Sequence, residues 1–178
     1  MLDQAANAWN GISPNIRVYG PGHTVPAGVT AFQVTVKGEL NPVAQWGHMF
    51  DPLLTNRAYR IGGAMQGYNR NNRAAANSYW THAEIRINVV SYAILLSIRD
   101  EAIRNEMLLT VLVHEIGHVL SLGHPEDVTG LTTSALSNLN AFAIRTFTWG
   151  NGQTQYENRM ISIMPSALDR MKLRNRWG

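Results

Sequence analysis

The chain of 178 residues contains no cysteine, which excludes disulfide bonds and thiolate metal ligands. It also lacks an apolar run approaching the ~18 residues of a membrane span, and no signal peptide is visible. Lysine is nearly absent, since 13 of the 15 basic residues are arginine. A chain without an oxidisable thiol suits an extracellular environment. We therefore expect a secreted protein whose leader or pro-segment is not in this chain.

Charged side chains are also scarce, at 15% of residues, and the formal net charge of +3 is mild. The basic residues concentrate only in RMKLRNRWG at 170–178, which is typical of the solvated end of a helix. We therefore expect no nucleic-acid partner and no membrane span. The length and the hydrophobic fraction of 45% suit one globular domain with an ordinary core, and we expect a monomer.

Short elements with clear periodicity follow one another without internal repeats. Apolar side chains at Leu2, Ala5, Ala6 and Trp9 share one face of a first helix. The segment AEIRINV at 83–89 alternates between apolar and polar residues, which predicts a half-buried strand at a sheet edge. These patterns together predict an α+β fold. Strands are predicted at 16–20, 29–36, 61–69 and 83–89, and later helices at 106–121 and 166–177.

The helix predicted at 106–121 is apolar on nearly every side, so we expect it to be buried, with Asn105 as its N-cap. It carries His114 and His118, which are four residues apart and lie on the same side of the helix. Neutral imidazole nitrogens at this spacing can bind one zinc ion, and histidines in an apolar helix need partners. The spacing therefore predicts that both residues are metal ligands.

Glu115 follows the first of these histidines and lies about 100° further round the helix. This direction is poor for a metal ligand but suits a group beside a metal-bound water. A carboxylate placed there can take a proton from the water. We therefore expect Glu115 to act as a general base for attack on a carbonyl group.

A catalytic zinc site needs a third protein ligand and leaves a fourth position open. His124 can supply the third ligand only if the helix stops and the chain turns back. Gly123 is suited to that turn, whereas Ser121 would adopt a positive φ at a cost of roughly 1 kcal/mol or more. We therefore expect the turn at Gly123. The alternative third ligand is a glutamate, either Glu126 or Glu157.

The segment HEIGHVLSLGH at 114–124 resembles the zinc helix of the metzincin metallopeptidases, H-E-x-x-H-x-x-G-x-x-H, in a bacterial domain of matrixin or serralysin type. A chance match is expected in on the order of 10⁻⁴ chains of this length. The resemblance implies a twisted mixed β-sheet with an N-terminal helix, a central zinc helix, and a small C-terminal subdomain with a Met-turn and a terminal helix. It implies a single catalytic domain, 1–178, with an upper subdomain of about 1–124 and a lower one of about 125–178.

The resemblance also implies roles outside the zinc helix. The stretch SIMPS resembles the family's Met-turn, which would place Met164 beneath the zinc. Metzincins pair an extended substrate with an edge strand above the cleft, and the strand at 83–89 would take this role here. The implied substrate-binding residues are Ala83, Glu84, Ile85, Arg86 and Pro165.

Several features depart from the family pattern. Ser121 stands where the motif has glycine, and Ser166 stands where serralysins and astacins have a tyrosine. The interval from His124 to Met164 is much longer than in matrixins. No Asp-rich repeat follows, so calcium binding is left open but is not indicated. Three further histidines do not match the structural-zinc spacing of matrixins and are interpreted as surface or hydrogen-bonded residues: His23, His48 and His82.

Motif and resemblance together predict a secreted zinc-dependent endopeptidase with one catalytic zinc ion, a protein or peptide substrate, and Glu115 as the base. Two alternatives stay open. One is a zinc peptidase of another clan with a glutamate as the third ligand. The other is a catalytically silent, zinc-stabilised module that binds a protein or cell-surface partner. The intact Glu115 disfavours the silent module, whereas Ser121 mildly favours it.

Overall fold

The structure, a computed structural model, describes residues 1–40, 63–69, 72–73, 80–88, 101–122, 148–150, 153–155, 164–165 and 167–178. These residues form both helices and strands, so the predicted mixed α+β content is confirmed. The chain divides into two compact units. The first joins Met1–Gly22 to Asn105–Gly178, and the second is His23–Arg104. No helix in the described ranges is both long enough and apolar enough to cross a membrane.

The second unit contains a mixed four-stranded sheet in the order β1-β4-β2-β3. Strand β4 pairs in parallel with β1 and antiparallel with β2, and β2 pairs antiparallel with β3. The strands predicted at 61–69 and 83–89 are confirmed to within two residues, whereas the one predicted at 29–36 begins only at Gln33. The strand bounds are Gln33–Glu39 for β1, Gly63–Asn69 for β2, Asn72–Arg73 for β3 and His82–Asn88 for β4.

Strand β4 lies inside this sheet, so its predicted position at a sheet edge is wrong. Ala83 is paired with Val34 on one side and with Gly67 on the other. The predicted alternation is confirmed, because Ala83 and Ile85 are fully buried while the side chains of Glu84 and Arg86 on the other face are partly exposed. An alternating pattern identifies a half-buried strand but does not say how many neighbours the strand has.

The strand predicted at 16–20 is absent, because side-chain hydrogen bonds replace the strand pairing that it would need. The side chain of Asn10 bonds both backbone groups of Val18: Oδ1 accepts from the Val18 N–H at 2.8 Å, and Nδ2 donates to the Val18 carbonyl at 2.9 Å. An asparagine side chain carries both a donor and an acceptor, so it satisfies the segment without a neighbouring strand.

The described residues form three α-helices. All of them lie in the first unit except for the first four residues of the second helix, which belong to the second unit. Helix α1 spans Leu2–Asn7, α2 spans Glu101–Val119 and α3 spans Ala167–Trp177. The buried side chains of Ala5, Ala6 and Trp9 confirm the predicted apolar face. A two-stranded antiparallel pair, β5 (Thr148–Gly150) and β6 (Gln153–Gln155), precedes α3.

Helix α2 begins five residues before the predicted start, and Asn105 lies inside it, so the predicted N-cap is wrong. Residues 101–104, EAIR, include good helix formers, which extend the helix upstream. Its middle is buried as predicted, with Leu112, Val113 and Ile116 all at most 7% exposed. The terminal helix α3 matches its predicted range to within one residue.

The C-terminal end of α3 is tied to the segment after α1 by three hydrogen bonds. Arg174 Nε donates to the Ile12 carbonyl at 3.0 Å, and Asn15 Nδ2 donates to the Trp177 carbonyl at 2.7 Å. Ser13 Oγ donates to the carbonyl oxygen of the last residue at 2.9 Å. Both ends of the described chain therefore belong to the same packed unit as most of α2.

Candidate metal centre

Helix α2 carries the two histidines and the glutamate of the motif in its buried last third. His114 is 6% exposed and Glu115 is 3% exposed, whereas His118 is half-buried. Two polar side chains in a nearly apolar environment are costly unless their polar atoms find partners. Apolar packing alone therefore does not account for the residues buried in this part of the helix.

The two imidazole rings converge through their Nε2 atoms, which lie 3.1 Å apart. The rings are nearly perpendicular, at 87°, with centroids separated by 4.7 Å. Two nitrogens that each lie about 2.05 Å from a tetrahedral zinc ion are about 3.3 Å apart. The observed separation is close to this value and is also that of a hydrogen bond between the rings, so the pair is compatible with a zinc ion and its role as a ligand pair stays a prediction.

The helix ends at Val119, and a left-handed turn follows at Ser121, which has a φ of 69°. The Ser121 N–H bonds the His118 carbonyl at 2.9 Å, and the Leu122 N–H bonds the Gly117 carbonyl at 3.0 Å. This pair of bonds is the Schellman arrangement, in which one left-handed residue closes the helix. The turn therefore occurs at the serine that stands at the motif's glycine position, and its predicted displacement to Gly123 is wrong.

The turn brings the Leu122 carbonyl oxygen back to the ring of His118, 2.7 Å from Nδ1. A carbonyl oxygen only accepts hydrogen bonds, so Nδ1 carries the proton. The neutral ring then has its lone pair on Nε2, the nitrogen that faces His114. An outer hydrogen bond of this kind commonly fixes the orientation of histidines that bind metals.

Glu115 is buried without a charged partner in the described part of the chain. Its Oε2 atom has no hydrogen-bond partner among the described residues. Burial raises the pKa of Glu115 to about 8, because desolvation disfavours the carboxylate. A cation bound nearby would favour the charged form. The carboxyl group is therefore suited to holding and releasing a proton near neutral pH.

Two tryptophans that were not predicted as part of the site anchor the helix on either side of the histidines. Trp9 Nε1 donates to the Val113 carbonyl at 2.9 Å, and Trp177 Nε1 donates to the Leu120 carbonyl at 3.1 Å. Both bonds cross long stretches of sequence, so local patterns do not show them. In the sequence, the apolar helix face that includes Trp9 indicates that this residue is buried, but it does not indicate the bond to Val113.

Several predicted ligands lie outside the described residues, namely His124, Glu126 and Glu157. Within the described ranges, no group of three or more His, Cys, Asp or Glu side chains is close enough to hold a metal ion. The roles of His124, Glu126 and Glu157 as metal ligands therefore stay predictions. The described part of the site consists of the histidine pair and the glutamate.

The two described residues of the predicted Met-turn region differ in exposure. Met164 is 49% exposed and Pro165 is buried. Packing beneath a metal ion would leave a methionine less exposed, and a buried proline ring offers little surface to a substrate. The Met-turn and the substrate contact of Pro165 stay predictions, and these positions add no support to them.

The predicted substrate-binding strand does not have a free edge. Ala83, Glu84, Ile85 and Arg86 of β4 are paired on both sides, so their main chain cannot add a substrate strand. The polar side chains of this strand bond each other instead, with Arg86 Nη2 2.8 Å from Glu84 Oε2. Strand addition by the substrate at β4 is therefore excluded, and any other substrate contact of these residues stays a prediction.

Of the histidines outside the motif, His23 lies at the surface as predicted, whereas His82 is half-buried and stacks on an aromatic ring. The ring of His82 stacks on Tyr68 with a centroid separation of 5.0 Å, and His23 is exposed. His48 lies outside the described residues.

No protein-family model matches the chain, and no curated protein or solved structure matches it either.

Proposed function

We propose that this protein is a secreted, monomeric, zinc-dependent endopeptidase of metzincin type, which hydrolyses peptide bonds of protein substrates. The observation that carries the proposal is the arrangement on α2. Two imidazole Nε2 atoms lie 3.1 Å apart, and the residue that follows His114 in the chain, Glu115, is buried with an Oε2 atom that lacks a partner among the described residues. A helix with a purely structural role gains nothing from a buried carboxyl group without a counter-charge, whereas a hydrolytic metal site uses a carboxylate to accept a proton.

The order of the elements supports the metzincin-type architecture. An N-terminal helix, a mixed sheet, the histidine-bearing helix and a terminal helix follow one another in the chain. A chain without cysteine is compatible with secretion, since it has no thiol to oxidise outside the cell. The match of His114, Glu115, His118 and His124 to the motif supports the family assignment.

In the proposed site, the Nε2 atoms of His114 and His118 hold the zinc ion, and His124 is the third ligand. When bound, zinc supplies a Lewis acid that polarises the scissile carbonyl and lowers the pKa of water to about 7. Calcium has no assigned role.

The protein's own contribution to the chemistry is the movement of one proton. Glu115 in its carboxylate form accepts a proton from the attacking water, and it then donates that proton to the nitrogen of the leaving amine. Its burial excludes bulk water, so the proton stays on Glu115 between the two transfers.

The test measures zinc content and cleavage of denatured casein in the same preparations. We expect one zinc ion per chain, cleavage that a chelator abolishes, and recovery when zinc is added back. Glu115→Gln should keep its zinc and lose at least about 100-fold in turnover. Glu101→Gln is the matched control, because it changes an exposed glutamate of the same helix and should be neutral.

Three outcomes would redirect or reject the proposal. Turnover that survives in Glu115→Gln, or cleavage that chelation does not affect, would reject it. Stoichiometric zinc without cleavage of any substrate would favour the silent binding module. Zinc affinity that survives His124→Ala but falls in Glu126→Gln or Glu157→Gln would assign the site to another peptidase clan.

A further inference from the structure

We propose that Ser121 is a positioning residue of the metal site, because its left-handed turn makes the Leu122 carbonyl fix the proton of His118 on Nδ1. The metal-binding consequence rests on the proposed function. The position of the proton does not, because it is a property of the metal-free protein.

The first step is the conformation of Ser121. It is the only residue other than glycine with a positive φ among the described residues. A left-handed backbone costs a residue with a Cβ atom roughly 1–2 kcal/mol, so the conformation must be imposed by its surroundings. Hydrogen bonds hold the chain on both sides of the serine: Trp177 Nε1 bonds the Leu120 carbonyl, and the Leu122 N–H bonds the Gly117 carbonyl.

The second step is the direction of the Leu122 carbonyl. A helix that continued past Leu120 would point this carbonyl along the helix axis, away from the preceding turn. The left-handed residue reverses the chain instead, and the Leu122 oxygen then lies 2.7 Å from His118 Nδ1. This short distance requires a proton on Nδ1, because the carbonyl has none to donate.

The third step is the consequence for the histidine pair. With Nδ1 protonated, a neutral His118 presents a lone pair at Nε2, which lies 3.1 Å from His114 Nε2. In the metal-free protein, His114 Nε2–H can donate to this lone pair, so one proton occupies the position that a metal ion would take. Without the Leu122 carbonyl, the His118 ring would be free to rotate and to place its proton on Nε2, where it would oppose metal binding.

The experiment measures the tautomer of His118 in the full-length, metal-free protein by nitrogen-15 NMR of the imidazole rings. Ser121→Gly and Ser121→Asn tolerate a positive φ, whereas Ser121→Val disfavours it because valine is β-branched. We expect His118 to be protonated on Nδ1 in the wild-type, Gly and Asn proteins. In Ser121→Val the proton should be distributed over both nitrogens.

Zinc affinity is then measured in the same four proteins by competition with a chromophoric chelator. We expect Ser121→Val to bind zinc about 10- to 100-fold more weakly, as for the loss of other outer partners of metal ligands, and the Gly and Asn variants to match the wild type. A folded Ser121→Val protein with an unchanged tautomer and unchanged affinity would overturn the inference.

A second measurement applies if Ser121→Val does not fold. A backbone ester between residues 122 and 123 replaces the N–H of Gly123 by oxygen, which weakens the Leu122 carbonyl as an acceptor and leaves every side chain unchanged. It should shift the His118 proton in the same way, and an unshifted proton would overturn the inference. A wild-type protein that binds no zinc but keeps its Nδ1 proton would reject the proposed function and leave the positioning role of Ser121 intact.

Discussion

The indole nitrogen of Trp9 donates a hydrogen bond to the carbonyl oxygen of Val113 over a distance of 2.9 Å, although 104 residues separate them in the chain. Val113 directly precedes His114, so this bond fixes the helix at the point where the first proposed ligand leaves it. The ring of Trp9 is only 1% exposed. The N-terminal segment therefore helps to position the site, although none of its residues is a proposed ligand or base.

Trp9→Phe removes this hydrogen bond and keeps an aromatic ring in the core. We expect the free energy of unfolding to fall by about 1–2 kcal/mol, from one lost hydrogen bond and a smaller ring. Chemical denaturation followed by circular dichroism measures the change. Trp9→Ala should cost about 3–5 kcal/mol, because it also opens a cavity. An unchanged stability in Trp9→Phe would show that the bond contributes nothing.

Trp177→Phe tests the second anchor, at the other end of the motif. Leu120 is the residue after the last helical one, so its carbonyl depends on Trp177 rather than on the helix for a partner. We expect a loss of about 1 kcal/mol and faster hydrogen exchange at the amides of Ser121 and Leu122, which close the turn. Trp9→Phe is the matched control and should leave those two amides less affected. Equal hydrogen-exchange rates of these two amides in both variants would argue against a local effect of Trp177 on the turn.

Periodicity and residue spacing predicted the parts of the fold that depend on local patterns. The alternation in 83–89 identified β4 and its buried face, and the apolar face around Trp9 identified α1. The four-residue spacing of His114 and His118 predicted that their rings converge, because a helix places such residues on one side. These relationships need no information from distant residues.

The incorrect predictions concern choices that distant residues decide. Strand β1 pairs with β4 on the side opposite β2, and nothing in the sequence of 83–89 indicates that this strand has two neighbours. The side chain of Asn10 bonds both the N–H and the carbonyl of Val18. The segment 16–20 therefore does not form a strand, although its residues favour one. Intrinsic preference favours Gly123 for the left-handed turn, but the bonds around Leu120 and Leu122 impose it on Ser121.

The ion-pair network on the polar face of the sheet predicts an acid-sensitive stability. Glu84 accepts a hydrogen bond from Lys37 Nζ at 2.8 Å, and further bonds come from Arg86 and Tyr68. The bond from Lys37 is the largest cause that lowers the pKa of Glu84 to about 2, from an ordinary value of 4.5. The folded state therefore binds fewer protons than the unfolded state between these values.

The contribution of Glu84 to stability is accordingly present above pH 4.5 and is lost as the pH falls toward 2. Glu84→Gln should flatten this part of the stability curve, measured by urea denaturation at several pH values. Lys37→Met removes the largest cause and should raise the pKa of Glu84, which carbon-13 NMR of the carboxyl group reports directly. A titration of wild-type Glu84 near 4.5 would contradict the prediction.

Ser121→Gly should stabilise the protein by up to about 1 kcal/mol. Glycine adopts the positive φ of this position at little cost, whereas serine carries a penalty of roughly 1–2 kcal/mol. The greater freedom of glycine in the unfolded chain offsets part of the gain. Chemical denaturation of the metal-free protein measures the difference, and Ser121→Ala is the control, because it also removes the hydroxyl but keeps a Cβ atom at the positive φ. A destabilised Ser121→Gly would show that the serine side chain has contacts that matter more than the backbone strain.

Glu115 should make the metal-free protein less stable as the pH rises, which is the opposite of the effect of Glu84. Its pKa is about 8 in the folded state and 4.5 ordinarily, so the folded state binds more protons between these values. The contribution of Glu115 to the free energy of unfolding is therefore most favourable below pH 4.5 and falls toward pH 8, with a slope of up to about 1.4 kcal/mol per pH unit. Glu115→Gln should remove this slope in the presence of a chelator, whereas the exposed Glu101→Gln should keep it. The difference between the wild-type and Glu115→Gln curves reports the contribution of residue 115. Saturating zinc should also reduce the slope in the wild type, because a neighbouring cation favours the carboxylate. Identical pH profiles for the wild type and Glu115→Gln would mean that Glu115 is already ionised without metal, and a partner other than zinc would then have to be found for its charge.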